Sequence, residues 1–366
     1  MEGHEIMARE KNSAPHHGES RDKAARREDT ARVTGGDGGP AGRYAVGVDL
    51  GGTKVATALT DTHGRILQRA EVPTSAQEGV DAVIGRIVES IRTVMNTIVD
   101  GRKVSPDEIL GIGVGSPGPL DVERGIVLFS PNLKWENVPI CDRIAEATGL
   151  PAYLDNDANV AAMAENRFGA GKGVENMLYM TVSTGIGGGI IINGRIYRGS
   201  HGNAGEIGHM TIKPDGPPCG CGNFGCLEAL ASGTAIAREA AEGIRAGVAT
   251  TVLQKAGGDP GKVTARLVGE AAREGDPFAK EVVHKAAYYL GIGLANLVNI
   301  FDPEIIVIGG GVSRIGEELF EPARRTMRER ALAAMAKQVK SVPALLGGDS
   351  GVLGAASLVY DQPNHI

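Results

Sequence analysis

The sequence predicts a mixed α/β fold in two domains, and three observations lead there. Near its start, apolar strand-like runs and one amphipathic stretch follow the order hairpin, helix, returning strand rather than a plain βαβ alternation. At 366 residues and 42% hydrophobic, the chain can bury a large core and divide in two. Glycine is the unusual number: the 54 glycines are about twice the ordinary share and gather at strand ends, where tight turns and close backbone approach need them.

Residues 1–43 stand apart. They hold eight Lys/Arg, eight Asp/Glu and only Ile6 and Val33 as large aliphatics, too little apolar surface to offset the entropy of ordering, so a disordered tail is expected. The tail has no helix-turn-helix periodicity, and a net charge of −6 disfavours nucleic-acid or anionic-membrane partners. No apolar run reaches 18 residues and no hydrophobic leader is present, so no membrane span or signal peptide is expected. Four cysteines, three of them in a metal-like cluster, suit a reducing cytoplasm.

Order begins at Arg43–Leu50, an apolar run that reads as a buried strand. It breaks at Gly51-Gly52-Thr53-Lys54, resumes at Val55–Leu59, turns at Asp61–Gly64 and continues through Ile66-Leu67 as a hairpin meander. A helix is expected from about Val80 to Val99, where Val83, Ile84, Ile87, Val88, Ile91, Val94, Met95 and Ile98 recur at three-and-four spacing. A strand at Ile109–Val114 follows and ends in Gly115-Ser116-Pro117-Gly118-Pro119. Further strands are expected at Ala152–Leu154, Met177–Val182 and Gly189–Ile192, with a helix running from the Asp155 region to about Phe168.

Two glycine hairpins have the chemistry of phosphate loops. In Asp49-Leu50-Gly51-Gly52-Thr53-Lys54 the glycines let backbone N–H groups approach an anion, Thr53 adds a hydroxyl, and Asp49 offers a hard oxygen to Mg²⁺. The same residues also make a good plain hairpin. Thr184-Gly185-Ile186-Gly187-Gly188-Gly189 lies between two strands, so it is not a dinucleotide fingerprint. A third turn, Gly309-Gly310-Gly311, ends the apolar run Ile305–Ile308. Between the hairpins, Asp155-Asn156-Asp157 sits at a strand-to-helix junction. Asn and Asp are favoured helix caps there, yet an ionised Asp at that end can also take a proton from a hydroxyl.

The densest signal is Cys219-Gly-Cys221-Gly-Asn-Phe-Gly-Cys226, with His209 ten residues upstream of its first cysteine. Four such ligands fill a tetrahedral zinc, which would make the metal structural. The alternative is a disulfide with a spare thiol, but Cys219 and Cys221 are too close for an unstrained bridge and Cys141 is far upstream. Glu206 leads into the knot and Glu228 leads out, so zinc would pin two carboxylates and an imidazole to one small region suited to a polyhydroxylated ligand.

In order and spacing these motifs resemble the ROK family of sugar kinases and repressors, most nearly its bacterial glucokinase branch, from about Tyr44 to Tyr360. The resemblance implies an actin-like ATPase (ribonuclease H-like) fold. It also implies a small domain at 44–155, a large zinc-bearing domain at 156–349, a cleft between them, and a last helix at about 350–361 that returns to the small domain. The implied reaction is ATP-dependent phosphorylation of glucose at its 6-hydroxyl, with Asp157 as base and Asn156, Glu206, His209 and Glu228 on the other hydroxyls. His209 would also bind zinc, with Cys219, Cys221 and Cys226.

Asp49 would hold Mg²⁺. Gly51, Gly52, Thr53 and Lys54, with Thr184, Gly185, Gly187 and Gly188, would hold phosphates, and Gly309, Gly310 and Gly311 would lie against adenosine. Gly115–Pro119 and Asn132–Trp135 are the expected moving parts of closure. The sequence leaves open N-acetylglucosamine, N-acetylmannosamine, mannose or fructose as acceptor, polyphosphate as an extra donor, and a sugar-sensing repressor. A dimer is common in the family.

Overall fold

A computed structural model describes residues 43–99 and 101–362, so the expected tail lies, except for Arg43, outside the described residues. Two five-stranded sheets organise the rest. The first contains β1 (Tyr44–Leu50), β2 (Lys54–Asp61), β3 (Ile66–Pro73), β4 (Ile109–Ser116) and β5 (Ala152–Asn156), in the order β5-β4-β1-β2-β3. The second contains β6 (Met177–Val182), β7 (Ile186–Ile192), β8 (Arg195–Ile196), β9 (Ile305–Gly309) and β10 (Lys340–Pro343), in the order β8-β7-β6-β9-β10.

The two sheets share one plan. Each opens with an antiparallel meander of three strands, and its fourth and fifth strands then add in parallel on the far side of the first. A parallel addition needs a crossover, and helices supply it. In the first half these are α1 (Val80–Met95) and α2 (Ile140–Thr148), whose Ile87, Ile91 and Ile144 are fully buried among Val46, Val48 and Leu59. From β5 the chain enters α3 (Asp157–Phe168).

The second half adds α4 (Leu227–Ala231), α5 (Gly233–Arg245), α6 (Ala265–Arg273), α7 (Pro277–Phe301), α8 (Glu317–Arg330) and α9 (Ser350–Tyr360). Leu290, Leu294 and Val298 of α7 close over Met180, Ile306 and Ile308 of the second sheet. Between the sheets run α3 and α9, and small residues let them approach. A Cβ at Gly47 would stand 1.9 Å from the Val352 carbonyl oxygen, one at Gly113 1.7 Å from that of Ala355, and one at Gly189 2.5 Å from Ala162 Cβ.

Three expectations need correction. The first helix stops at Met95, because Asn96 leaves helical geometry, and Ile98–Val99 pairs instead with Arg102–Lys103. Ile98 kept the apolar spacing but is exposed. The strands expected at Ile109–Val114 and Ala152–Leu154 each run two residues longer, to Ser116 and Asn156, because their parallel register with each other continues to that pair. The second glycine loop is shorter than expected. Only Ser183–Gly185 turns, while Gly187, Gly188 and Gly189 belong to β7 and admit α3 and the Ile207 side chain against the strand. The Asn132–Trp135 segment is anchored by Leu133 and Trp135, 0% and 1% exposed.

Candidate active site

The junction of β5 and α3 places three polar residues in succession. Asn156 is the helix cap, its Oδ1 accepting the Ala158 N–H at 2.9 Å, and Asp157 Oδ1 accepts the same N–H at 2.8 Å. Asp155 points the other way and is fully buried. Its carboxylate receives Arg198 Nε at 2.8 Å, Arg198 Nη2 at 2.7 Å and Asn159 Nδ2 at 2.9 Å. Both guanidinium nitrogens converge on Oδ2 while Asn159 holds Oδ1, so the buried carboxylate is fixed in orientation and the backbone that carries Asn156 and Asp157 is fixed with it.

Asp157 stands on the wall shared by two cavities. One, of about 360 Å³, is lined by Asn156, Asp157, Glu206, His209 and the Pro117–Leu120 turn. The other, of about 340 Å³, is lined by Asp49, Lys54, Arg69, Asp157, Tyr179 and Ser350. A third and larger cavity, about 820 Å³, lies by the Ser183-Thr184 turn and Gly311, under α5 and α6. One carboxylate thus faces a polar pocket of carboxylate, amide and imidazole on one side and a charged pocket on the other.

Asp157 is open to water through these cavities yet surrounded by protein on most sides. Desolvation pushes its carboxyl above the ordinary carboxylate range, and the Ala158 N–H pulls it partly back. Asp49 is raised by burial first and by the Asp157 charge second, against the opposing pull of Lys54 and Arg69. A carboxylate raised by the charge of another that lines the same cavity is a site where a divalent cation is favourable.

The cysteine knot forms as its spacing suggests. Ligand atoms of His209, Cys219, Cys221 and Cys226 all lie within 4.8 Å of one another. Cys219 Sγ is 3.7 Å from His209 Nδ1, and Cys221 Sγ is 3.7 Å from Cys226 Sγ. A tetrahedron with Zn–S near 2.3 Å has S–S edges of about 3.8 Å, so the donor set fits zinc. Gly222, in a left-handed turn that donates its N–H to the Cys219 carbonyl at 3.0 Å, lets the chain double back between ligands. With Nδ1 inside the knot, His209 turns Nε2 toward Glu206, 3.9 Å away.

The remaining motif residues divide. Asp49 and Lys54 line the charged cavity, whereas Gly51, Gly52 and Thr53 form the β1–β2 turn beside it, Gly52 against Asn132. Thr184 and Gly311 line the large cavity, with Gly309 and Gly310 leading into it at the end of β9. Glu228 does not line the pocket of Asn156, Asp157, Glu206 and His209. Its Oε2 instead accepts the Ile186 N–H at 2.9 Å, behind Gly185. Sequence reasoning missed Arg69 and Arg198, which no motif marks. Their partners Asp349 and Asp155 lie 280 and 43 residues away.

The ROK family model matches residues 45–362, and the chain belongs to that family. Its fold is the actin-like ATPase fold of these sugar kinases. Among curated relatives, the glucokinase of Halalkalibacterium halodurans is 42% identical over 88% of this chain and 96% of its own length. That of Thermotoga maritima is 40% identical over 87% and 97%. The crystal structure of a ROK family glucokinase from Streptomyces griseus, in complex with glucose and AMPPNP, superposes with a TM-score of 0.73 at 37% identity, covering 86% of this chain and 98% of that one. Among the described residues no helix is long and apolar enough to cross a membrane.

Proposed function

We propose that this chain transfers the terminal phosphate of ATP to the 6-hydroxyl of glucose. The observation that carries the reading is the position of Asp157, shared between a hydroxyl-matched cavity and a charged one, in a chain 40–42% identical to two glucokinases and 31–35% identical to xylose repressors. Asn156, Glu206 and His209 hold the sugar, and Glu228 supports that pocket from behind the Ser183–Gly185 turn. The β1–β2 turn and the Ser183–Gly185 turn flank the phosphates, with adenosine in the large cavity by Gly311. The two sheets then correspond to the small and large domains, with α9 returning to the first.

The chemistry is alignment and charge stabilisation, because phosphoryl transfer passes through a loose transition state. The 6-hydroxyl oxygen forms a bond to the γ-phosphorus, the bond from that phosphorus to the β–γ bridging oxygen breaks, and ADP leaves. The hydroxyl proton passes to the Asp157 carboxylate late in the step. Asp49 is the residue suited to hold magnesium, which when bound would offset charge on the phosphates. Zinc would supply no reactive group; the knot fixes His209 so that Nε2 faces the sugar.

The test is kcat/KM with ATP across glucose, mannose, N-acetylglucosamine, N-acetylmannosamine and fructose, with polyphosphate as a second donor. Groups set to meet hydroxyls penalise an analogue that leaves them unpaired, so glucose should lead, with mannose weaker. An N-acetyl sugar ahead of glucose by about tenfold, a preference worth roughly 1.4 kcal/mol, would replace the glucose reading with a hexosamine one.

A further inference from the structure

The charged cavity holds more positive charge than the phosphate motifs supply. Asp49 and Asp157 bring two negative charges to it, and a phosphoryl group entering there adds more; Lys54, the cation the motif supplies, is already paired to Glu71 at 3.1 Å. The second cation is Arg69, on β3, opposite Ala58 of β2 and so carried by a rigid strand. Its Nη2 donates to Glu71 at 2.9 Å and its Nη1 to Asp349, in the turn that precedes α9. Both carboxylates are exposed, with 43% and 44% of their side-chain surface open to water. Exposed ion pairs hold weakly, and an acid released into water is resolvated at little cost. A guanidinium, with five donors in a planar fork, matches phosphate oxygens better than an ammonium does.

We propose that Arg69 contacts the terminal phosphoryl group of the donor, its guanidinium exchanging Asp349 for a phosphoryl oxygen as the donor binds. The assignment rests on the phosphoryl-transfer reading above. It makes Arg69 the partner of Lys54 on the far side of Asp157 from the sugar. The two cations then bracket the group in flight while Asp349 holds the guanidinium ready in the empty site.

The test compares AMPPNP, which carries a terminal phosphoryl group that is not transferred, with ADP, which lacks one. Each is titrated calorimetrically with magnesium and glucose present. Arg69→Gln should weaken AMPPNP about 10-fold to 100-fold, the effect of one charge-assisted hydrogen bond, while ADP changes less than about twofold. Arg69→Lys should recover part of the loss. Asp349→Asn breaks the same ion pair and should leave AMPPNP affinity equal or higher. Equal losses for both nucleotides in Arg69→Gln, or equal losses in Arg69→Gln and Asp349→Asn, would mark a strut between β3 and the turn and overturn the proposal. A parent enzyme that does not phosphorylate glucose, with the AMPPNP-over-ADP difference intact, would overturn the sugar reading and leave the Arg69 contact supported.

Discussion

Arg198 grips the fully buried Asp155 through both Nε and Nη2, at 2.8 and 2.7 Å, two residues ahead of the carboxylate that borders both cavities. Removing the guanidinium would leave an uncompensated charge in the interior. Arg198 is itself one-third exposed, which tempers the loss. Arg198→Met should therefore destabilise by roughly 2–4 kcal/mol in denaturant unfolding and raise the KM for glucose more than that for ATP. Asp155→Asn added to it should recover part of the stability. A double variant no more stable than Arg198→Met would show that the ion pair is not what fixes this junction.

The zinc knot is predicted to act on structure. Structural zinc can contribute on the order of 10 kcal/mol to local folding, so Cys221→Ser should lose metal, thermal stability and sugar affinity together. Metal analysis of the purified protein checks the premise. Full activity with less than about half an equivalent of zinc, indifferent to strong chelators, would remove it.

The two raised carboxyls set the acid limb of the pH profile. Asp157 must be ionised to take the hydroxyl proton, and burial holds its pKa above 3.8, so kcat/KM should fall with acid at a pH above the ordinary Asp value. Because Asp49 and Asp157 interact, the limb belongs to the pair, and raising magnesium should move it to lower pH. Stability has the opposite sign. The native state binds these protons more tightly than the unfolded chain, so this contribution is full at low pH and is lost as pH rises through the raised values. Asp157→Asn should flatten that loss; an unchanged stability profile in the variant would contradict the assignment.

What could be read from the sequence follows locality. The span of α3 was legible because an Asn-Asp cap declares a helix start within two residues, and the knot because four ligands lie within 18 positions. The meander of β1 to β3 was legible from its turns. The Ile98–Val99 strand was not, because its apolar spacing continues that of α1 and only Asn96 marks the break. Nor was the placement of Gly187 to Gly189, since a glycine run in a tight turn and one under a close helix look alike; Ala162 decides between them. Arg69 and Arg198 were silent because each is defined by a partner that only the tertiary fold supplies. The shared strand order of the two sheets was silent for the same reason.

The central claim is that Asp157, between the two cavities, takes the proton of the sugar hydroxyl, and one variant tests it most directly. Asp157→Asn keeps the side chain's shape and its acceptor oxygen for the Ala158 N–H, and removes only the carboxylate's ability to take a proton. Steady-state kinetics with glucose and ATP should show kcat lowered about 10²-fold to 10⁴-fold, with glucose affinity within a fewfold of the parent. A kcat within a fewfold of the parent would contradict the assignment and leave Asp157 as part of a helix cap.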